Sequence, residues 1–269
     1  MKMKTKIIGY FGGKGGDLST VIKTFIPKNY EIYVEPYGGS ASTLFTQNAP
    51  IEIYNDIYEN VYSLFKVMSD ESLFKQLKEK LDVTPYSEKI NKEFKQNLKR
   101  NDLSLLDRAY YYFYVNRTSV NAIGGFSINT VIRRNISKST SDYLSAIDGL
   151  EEYNKRLSNV IVTNKNAIDV IKKYDRESTF IYLDPPYVQS TRTEARYECD
   201  MTDEQHMELL NTILTCKSKI LISGYDNDLY NILTDNGWNK FVFDIKTTDG
   251  KNRPKTKTEV LWYNYNLEN

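Results

Sequence analysis

The 269-residue sequence predicts an α/β fold, with a mainly parallel sheet and an inserted, largely helical subdomain. Short apolar runs of strand length alternate with segments of helical periodicity in the first third of the chain, and again after about residue 158. The intervening residues 69–157 are rich in Lys, Asn, Ser and Tyr, and their clearest periodicity is helical. We therefore predict one domain formed by residues 1–68 and 158–269, interrupted by a subdomain of residues 69–157.

The individual elements follow from local composition. Strands are predicted where a short apolar run ends at a turn or at polar residues: 32–34, 51–54, 160–163, 180–183 and 219–223. Apolar residues at helical spacing predict helices at 58–68, around 103–115 and at 202–216.

The only histidine of the sequence lies in the last of these helices. That helix opens with Thr202-Asp203-Glu204-Gln205, which has the pattern of a capping box. His206 shares a helical stripe with Leu209 and Ile213, so we predict a partly buried structural histidine. Ser-His, Cys-His and two-histidine zinc chemistry are therefore disfavoured.

Composition limits the remaining classes. Charged residues make up 26% and hydrophobic residues 40% of the sequence, as in ordinary globular proteins. Every apolar stretch is shorter than the roughly 20 residues that span a bilayer, and the basic N-terminus lacks the apolar region of a signal peptide. Cys199 and Cys216 do not have metal-binding spacing. We expect a cytoplasmic protein with no membrane partner.

The net charge is only +1, so a nucleic-acid partner has to be argued from local clusters of basic residues. Such clusters occur at residues 92–100, at Arg133 and Arg134 with Lys138, and at residues 251–257. Each cluster alone is better explained as a solvated surface.

The most informative pattern is the apolar run 180–183 followed by Asp184, Pro185, Pro186 and Tyr187. The prolines fix φ and donate no backbone hydrogen bond, so neither a helix nor a central strand continues through them. A carboxylate and free carbonyls can accept hydrogen bonds from an exocyclic amino group, and an aromatic ring can stack on the base that carries it. The pattern therefore indicates a nucleobase pocket, with a plain strand-to-loop turn as the alternative.

Other chemistry-bearing residues follow predicted strands. In open α/β sheets, ligands bind beyond the carboxyl ends of the strands. The small-residue segment 35–42 follows the first predicted strand, and Asp56 follows the second, where a carboxylate can accept hydrogen bonds from both hydroxyls of a ribose. Together with Asp184, these residues predict a nucleoside-containing cofactor beside a nucleobase.

Phosphate-binding motifs do not account for this cofactor. Residues 11–16 resemble a P-loop superficially, but Lys14 is followed by Gly15, and Ile8 stands at the position of the first glycine. No segment near residues 9–42 matches G-x-G-x-x-G, which disfavours an NAD dehydrogenase. S-adenosyl-L-methionine, which contains no pyrophosphate, is the leading candidate.

The chain resembles the Dam-type DNA adenine-N6 methyltransferases of the D12 class. The resemblance covers nearly the whole chain, in the order of the family. Its motifs are Tyr10-Phe11-Gly12-Gly13-Lys14, Glu35-Pro36-Tyr37-Gly38-Gly39-Ser40-Ala41-Ser42, Asn55-Asp56-Ile57, Tyr114-Val115-Asn116-Arg117 with Asn121, and Asp184-Pro185-Pro186-Tyr187.

The resemblance implies a Rossmann-like S-adenosylmethionine-dependent methyltransferase sheet with an inserted target-recognition subdomain. It implies methyl transfer to the N6 amino group of a flipped adenine in double-stranded DNA, without a metal. We expect a monomeric restriction-modification enzyme, with an enzyme that acts alone in a host or belongs to a mobile element as the open alternatives. The catalytic residues would be Asp184, Pro185, Pro186 and Tyr187. The cofactor-binding residues would be Tyr10, Lys14, Glu35, Pro36, Gly39, Asp56, Asn166 and Asp184. The DNA-binding residues would be Asn116, Arg117 and Asn121, with Arg133 and Arg134 from the basic cluster.

The sequence departs from the family pattern at three places. Ala41 stands where the family usually has a second glycine. Asn166 aligns with an acidic residue near the cofactor adenine, and Asp169 follows three residues later. Residues 124–142 differ from the recognition hairpin of the family, so a GATC target is not implied.

Three alternatives remain open on the sequence. A cytosine-N4 methyltransferase would share this chemistry but usually has Ser in place of Asp184. An RNA adenine methyltransferase is weakly disfavoured by the large insertion. A DNA-binding relative that has lost catalysis is disfavoured by the intact Asp184-to-Tyr187 motif and by Asp56.

Overall fold

The computed structural model describes residues 7–9, 17–122, 124–188, 200–248 and 254–267. The chain forms two compact units. The first, which we call the helical unit, comprises residues 1–13, 39–45 and 58–164. The second, the sheet unit, comprises residues 14–38, 46–57 and 165–269.

The described helices and strands have the following bounds. The helices are α1 (Asp17–Phe25), α2 (Glu59–Met68), α3 (Glu71–Asp82), α4 (Glu88–Asn97), α5 (Leu105–Thr118), α6 (Lys138–Asp148), α7 (Leu150–Leu157), α8 (Ala167–Tyr174), α9 (Asp203–Ile213) and α10 (Asn231–Asp235). The strands are β1 (Ile32–Glu35), β2 (Ile51–Asn55), β3 (Ile132–Arg133), β4 (Ile136–Ser137), β5 (Val160–Thr163), β6 (Thr179–Leu183), β7 (Lys219–Gly224), β8 (Asn239–Thr248) and β9 (Pro254–Tyr263).

In the sheet unit, the strands follow the order β2-β1-β6-β7-β9-β8. β1 pairs in parallel with β2 and β6, and β6 pairs in parallel with β7. β9 runs antiparallel to both β7 and β8. The parallel strands and their order give the mainly parallel, Rossmann-like sheet that the sequence predicts. The strand order reverses between β1 and β6, and ligands of such sheets bind beyond the carboxyl ends of the strands at this switch point.

The core of the sheet unit explains why these apolar runs form central strands. Every residue of β1 and β6 is buried, as expected for parallel strands covered on both faces. Apolar side chains of α8 and α9 join the same core as the strand residues. These side chains are Ile168, Val170, Ile171, Leu209, Leu210 and Ile213.

The helical unit is organised around α5, which packs against α2, α3, α4 and α6. Four of its helices begin at residues whose side chains accept a hydrogen bond from the first turn, as good N-caps do. These residues are Asp70, Ser87, Ser104 and Ser137.

The helical unit extends beyond the predicted subdomain of residues 69–157. It also contains α2 and β5, because the apolar side of α2, with Val61, Leu64 and Phe65, is buried and α2 packs against α5 and β5. The sequence did not reveal these contacts, since the apolar pattern of α2 does not specify its partner.

Most predicted elements match the structure within one to three residues at each end. The predicted capping box is confirmed: the Thr202 side chain accepts from Gln205 N, and the Gln205 side chain accepts from Thr202 N. α9 nevertheless ends at Ile213, three residues before the predicted end. Among the described residues, helices long and apolar enough to cross a bilayer are absent.

Candidate active site

The end of β1 carries a buried carboxylate. Glu35 is 3% exposed, and its Oε2 accepts a hydrogen bond of 2.8 Å from the Tyr33 hydroxyl. Burial, followed by the charge of Glu35, raises the pKa of Tyr33 well above its usual value, so this phenol remains a donor. Glu35 is therefore held in one orientation at the carboxyl end of the strand.

The end of β2 is tied to two neighbouring segments by Asn55. Its Nδ2 donates to the carbonyls of Pro36 (2.9 Å) and Lys165 (3.0 Å), and its Oδ1 accepts from Lys165 N (2.9 Å). Asp56, the predicted ribose ligand, follows directly and is 6% exposed. One buried amide thus fixes the predicted cofactor loop, the end of β2 and the segment before α8.

Asn166, another predicted cofactor residue, lies at the start of α8. Its Oδ1 accepts a hydrogen bond of 2.8 Å from Ile168 N, so this side chain caps the helix. Asn166 and Asp169 are both exposed. A contact of Asn166 with the cofactor stays a prediction.

Asp184 follows β6, at the switch point of the sheet. Its Oδ1 accepts a hydrogen bond of 3.2 Å from the Ser223 hydroxyl, which comes from the end of β7. Ser223 Oγ also lies 3.0 Å from the Tyr182 hydroxyl. Pro185 is buried, and Pro186 is half-buried. The carboxylate of the predicted catalytic motif is therefore oriented by a side chain of the neighbouring strand.

Tyr187 is buried, and its hydroxyl is engaged. The hydroxyl donates a hydrogen bond of 2.9 Å to Glu259 Oε2 on β9, and Glu259 is itself 4% exposed. The Tyr187 ring lies edge-to-face with that of Tyr225, with 4.4 Å between the ring centroids. A residue inside β9 and a residue just after β7 thus fix the ring plane of Tyr187.

Two phenols, the buried Tyr230 and the half-buried Tyr37, lie close to Asp184 or to each other. Burial, with smaller contributions from Tyr37 and from the charge of Asp184, raises the pKa of Tyr230. Burial and then Glu208 raise the pKa of Tyr37 in the same way. The Tyr230 hydroxyl lies 3.1 Å from Nδ1 of His206, which is fully buried. His206 is thus a structural histidine, as predicted, and is more deeply buried than expected.

In the helical unit, residues 39–45 carry the second part of the predicted cofactor loop. Gly39 has a φ of 49°, and Ala41, where the family usually has glycine, has a φ of 55°. An L-residue in this left-handed region costs roughly 1 kcal/mol relative to glycine. The hydroxyls of Ser40 and Ser42 hydrogen-bond each other at 2.8 Å. The alanine therefore keeps the backbone conformation for which glycine is suited.

Asn116 and Arg117, predicted to bind DNA, contact backbone atoms near the N-terminus. Asn116 Nδ2 donates to the Gly9 carbonyl (2.7 Å), and Asn116 Oδ1 accepts from Gly9 N (2.9 Å). Arg117 donates to the Ile7 carbonyl, and burial lowers the pKa of its guanidinium group. In this structure, both side chains hold residues 7–9 of the chain.

The other predicted DNA-binding residues are exposed. Asn121 has a φ of 50° in the turn after α5. Arg133 lies in the β3–β4 hairpin and forms an ion pair with Asp142 on α6. Arg134, at the hairpin turn, donates to Ser145 Oγ at 2.9 Å. The hairpin thus presents two arginines to solvent on a short antiparallel ribbon.

Tyr10 and Lys14, predicted to contact the cofactor, lie outside the described residues, as do Lys251 and Arg253 of the last basic cluster.

Sequence reasoning missed Ser223 and Glu259. Each contacts the motif only because strands distant in the sequence become neighbours. Ser223 ends a predicted strand, and the rule that functional groups follow parallel strands would have marked it. The sequence holds no comparable indication for Glu259, which lies inside β9.

The chain is 26% identical over 227 residues to the Type II methyltransferase M.CviBI of Paramecium bursaria Chlorella virus NC1A, covering 80% of this chain and 81% of that protein. It is 25% identical over 204 residues to the Type II methyltransferase M.MjaIII of Methanocaldococcus jannaschii, covering 68% of this chain and 69% of that protein. It is 25% identical over 222 residues to the modification methylase StsI of Streptococcus sanguinis, covering 76% of this chain and 32% of that protein.

A family model covers most of the chain as well. The model described as D12 class N6 adenine-specific DNA methyltransferase matches residues 10–251, a range that includes the segments after β1, β2 and β6. The chain therefore belongs to the D12 class of N6 adenine-specific DNA methyltransferases.

Proposed function

We propose that this protein transfers a methyl group from S-adenosyl-L-methionine to the N6 amino group of an adenine flipped out of duplex DNA at a specific sequence. One observation carries the proposal: the Asp184-to-Tyr187 motif directly follows the switch-point strand β6, with its carboxylate held by Ser223. The family match favours DNA adenine over the cytosine and RNA alternatives.

The residues at the strand ends fit the cofactor. Glu35 and Asp56 are two buried carboxylates at the carboxyl ends of neighbouring parallel strands, where amino and hydroxyl groups of a nucleoside can donate to them. S-adenosylmethionine supplies a methyl group on a positively charged sulfur. Glu35, Pro36 and Asp56 would hold it, and the resemblance adds Tyr10, Lys14, Gly39 and Asn166.

Asp184 and Pro185 activate the N6 amino group of the adenine. The lone pair of adenine N6 is delocalised into the ring, which makes it a poor nucleophile. The Asp184 carboxylate and the Pro185 carbonyl each accept a hydrogen bond from N6, which favours a tetrahedral nitrogen whose lone pair is available. The new bond from N6 to the methyl carbon forms as the bond between that carbon and the sulfonium sulfur breaks, with sulfur keeping the electron pair. The nitrogen then releases one proton, for which the Asp184 carboxylate would be the acceptor. Positioning and electrostatics supply most of the acceleration.

Tyr187 stabilises the extruded base. Flipping an adenine out of a duplex costs a few kcal/mol, and stacking on an aromatic ring stabilises the flipped base by roughly 1–3 kcal/mol. The Tyr187 hydroxyl is anchored on Glu259, so the ring does not have to be ordered when the base arrives.

DNA is bound through the helical unit. Arg133 and Arg134 are exposed on the hairpin and contact either phosphates or base edges, and Asn121 is exposed in a neighbouring turn of the chain. Asn116 and Arg117 act by holding residues 7–9 in place, in addition to any DNA contact. We further propose that the enzyme is a cytoplasmic monomer of a restriction-modification system.

Nucleoside mass spectrometry tests the function. Unmethylated DNA is incubated with S-adenosylmethionine and either the wild-type protein or Asp184→Ala. N6-methyldeoxyadenosine from the wild type alone is the expected result, with binding of S-adenosylmethionine retained in the variant. N4-methyldeoxycytidine would overturn the base assignment, and turnover by Asp184→Ala would overturn the assigned role. Absence of any modified base in DNA would favour RNA or a non-catalytic role.

A further inference from the structure

The register of the sheet places Ser223 beside Asp184. Leu183 of β6 pairs with Ile222 of β7 in a parallel arrangement, so Asp184 and Ser223 are the next residues at the same edge. Side chains two residues apart on a strand point to the same face, so Tyr182 and Asp184 share a face. Ser223 therefore lies on the neighbouring strand between a phenol and the motif carboxylate.

Tyr182, Ser223 and Asp184 form a chain of hydrogen bonds, and the acceptors around the serine hydroxyl indicate where its proton points. The serine hydroxyl has one proton and three neighbouring acceptors: the Tyr182 hydroxyl at 3.0 Å, Asp184 Oδ1 at 3.2 Å and the Leu183 carbonyl at 3.4 Å. Asp184 is the charged acceptor of the three, and a charged acceptor makes the strongest bond. This favours the arrangement in which the serine proton points to Asp184 and the Tyr182 hydroxyl donates to Ser223 Oγ.

We propose that Ser223 is a positioning residue for methyl transfer: its hydroxyl, supported by Tyr182, fixes the rotation of the Asp184 carboxylate toward the N6 amino group. This inference rests on the proposed function, because it requires Asp184 to bind the amino group.

The physical argument is one of orientation. The terminal torsion of an aspartate is broad, so an unrestrained carboxylate samples many rotations. Methyl transfer requires the nitrogen lone pair in line with the methyl group, and small misplacements at reacting atoms lower rates strongly. Ser223 is 1% exposed and Tyr182 is 1% exposed, so water does not readily replace either hydroxyl.

Ser218 provides a matched control at the opposite end of the same strand. It precedes β7, it is also 1% exposed, and its hydroxyl donates to a different carboxylate, Asp175 Oδ1, at 2.6 Å. Ser218→Ala therefore removes an equally buried hydroxyl–carboxylate bond that is remote from the motif. It measures the general effect of such a loss on stability and rate.

The experiment compares single-turnover methylation by wild type, Ser223→Ala and Ser218→Ala, with equilibrium binding of S-adenosylmethionine and of duplex DNA measured separately. Ser223→Ala is expected to lower the single-turnover rate about tenfold while both dissociation constants stay within about twofold of wild type. Ser218→Ala is expected to keep the wild-type rate. Ser223→Thr, which retains the hydroxyl, is expected to recover most of the rate.

Tyr182→Phe keeps the test decisive if Ser223→Ala does not fold. It removes only the supporting hydroxyl, and a rate about threefold below wild type is expected, with unchanged binding. Wild-type rates in Ser223→Ala or, where that variant is unfolded, in Tyr182→Phe would overturn the inference. Equal rate losses in Ser223→Ala and Ser218→Ala would also overturn it. An inactive wild type, or an active Asp184→Ala, would instead refute the proposed function.

Discussion

The Tyr187 hydroxyl donates a 2.9 Å hydrogen bond to Glu259 Oε2, and both residues are almost completely buried. The two residues are 72 positions apart in the sequence. The register of β7 and β9 explains this contact. Gly224 pairs with Val260, so Glu259 lies opposite the residue that follows β7. That residue is Tyr225, whose ring packs edge-to-face against Tyr187. A single antiparallel pairing thus supplies both contacts that fix the motif tyrosine.

Tyr187 and Glu259 are expected to be energetically coupled. Tyr187→Phe removes the donor from a buried carboxylate, which should lower the free energy of unfolding by about 1–3 kcal/mol. Denaturant unfolding of Tyr187→Phe, Glu259→Gln and the double variant should give a coupling of about 0.5–3 kcal/mol.

A second tyrosine serves as the control for this coupling. The Tyr265 hydroxyl donates to the Phe25 carbonyl at 2.6 Å, and Glu259 is not the acceptor of that bond. Tyr265→Phe combined with Glu259→Gln should therefore be additive within about 0.5 kcal/mol. Additivity in the Tyr187 cycle as well would contradict the coupling.

The hairpin arginines are expected to contribute to DNA affinity. Arg133→Gln and Arg134→Gln should each weaken duplex binding. If the arginine contacts a phosphate, its removal should reduce the slope of log affinity against log salt concentration by about 0.9. If an arginine instead reads a base edge, its removal should cost about 1–3 kcal/mol of binding free energy and relax specificity at one position of the target.

Salt titrations on target and non-target duplexes separate these two roles. Lys173→Gln, an exposed cation on α8, is the control and should leave affinity and salt slope unchanged. Arginine variants that bind both duplexes like the wild type would exclude the hairpin from the interface.

Asn55→Asp is expected to destabilise the sheet unit. The new side chain would face the Pro36 and Lys165 carbonyls without the two amide donors, at a cost of about 1–3 kcal/mol for each unsatisfied carbonyl. The loss of stability in Asn55→Asp should be smaller at about pH 4 than at about pH 7, because a protonated carboxyl group donates one hydrogen bond.

Thermal unfolding at both pH values measures this effect. Asn236→Asp is the surface control: Asn236 is exposed and its amide donates only to the Ile232 carbonyl of its own helix end, so a change within about 0.5 kcal/mol is expected. An equally small change in Asn55→Asp would show that the amide does not hold these segments together.

Gly38→Ala is expected to destabilise the protein because a Cβ at this position would overlap the Tyr54 ring. Overpacking of this kind costs typically 1–3 kcal/mol. At Gly125, by contrast, an added Cβ would meet no described atom within 4 Å, so Gly125→Ala is the matched control. Equal unfolding midpoints for the two variants would contradict the close approach of Tyr54.

Cys216 is expected to be unreactive in the folded protein. Burial, followed by the charge of Asp175, raises the pKa of its thiol to about 12, and only the thiolate reacts. At about pH 8 the thiolate fraction is then far below that of an ordinary thiol, of which about one-quarter is ionised. Alkylation with iodoacetamide, followed by peptide mass spectrometry, should label Cys216 slowly in the native protein and rapidly in urea. Equal rates in both states would contradict the raised pKa.

Local sequence chemistry determined the elements and the location of the motif. The apolar run of β6 ends at Asp184 because Pro185 and Pro186 cannot continue a central strand, and this holds in any fold. The cap at Thr202 is likewise local, since its partners are within three residues. The parallel arrangement then places Glu35 at the end of β1, and Asp56 and Asp184 directly after β2 and β6, on one edge of the sheet.

Tertiary structure alone decided what holds those residues. Ser223, Glu259 and Asn55 reach the predicted site only through strand pairing or through contacts between distant segments. The same is true of Asn116, whose amide binds Gly9 from 107 residues away. Composition and periodicity specify which face of an element is buried, but they do not specify its neighbour. A hydrogen-bond partner across the sheet is set by register, and register is fixed only when the whole core packs.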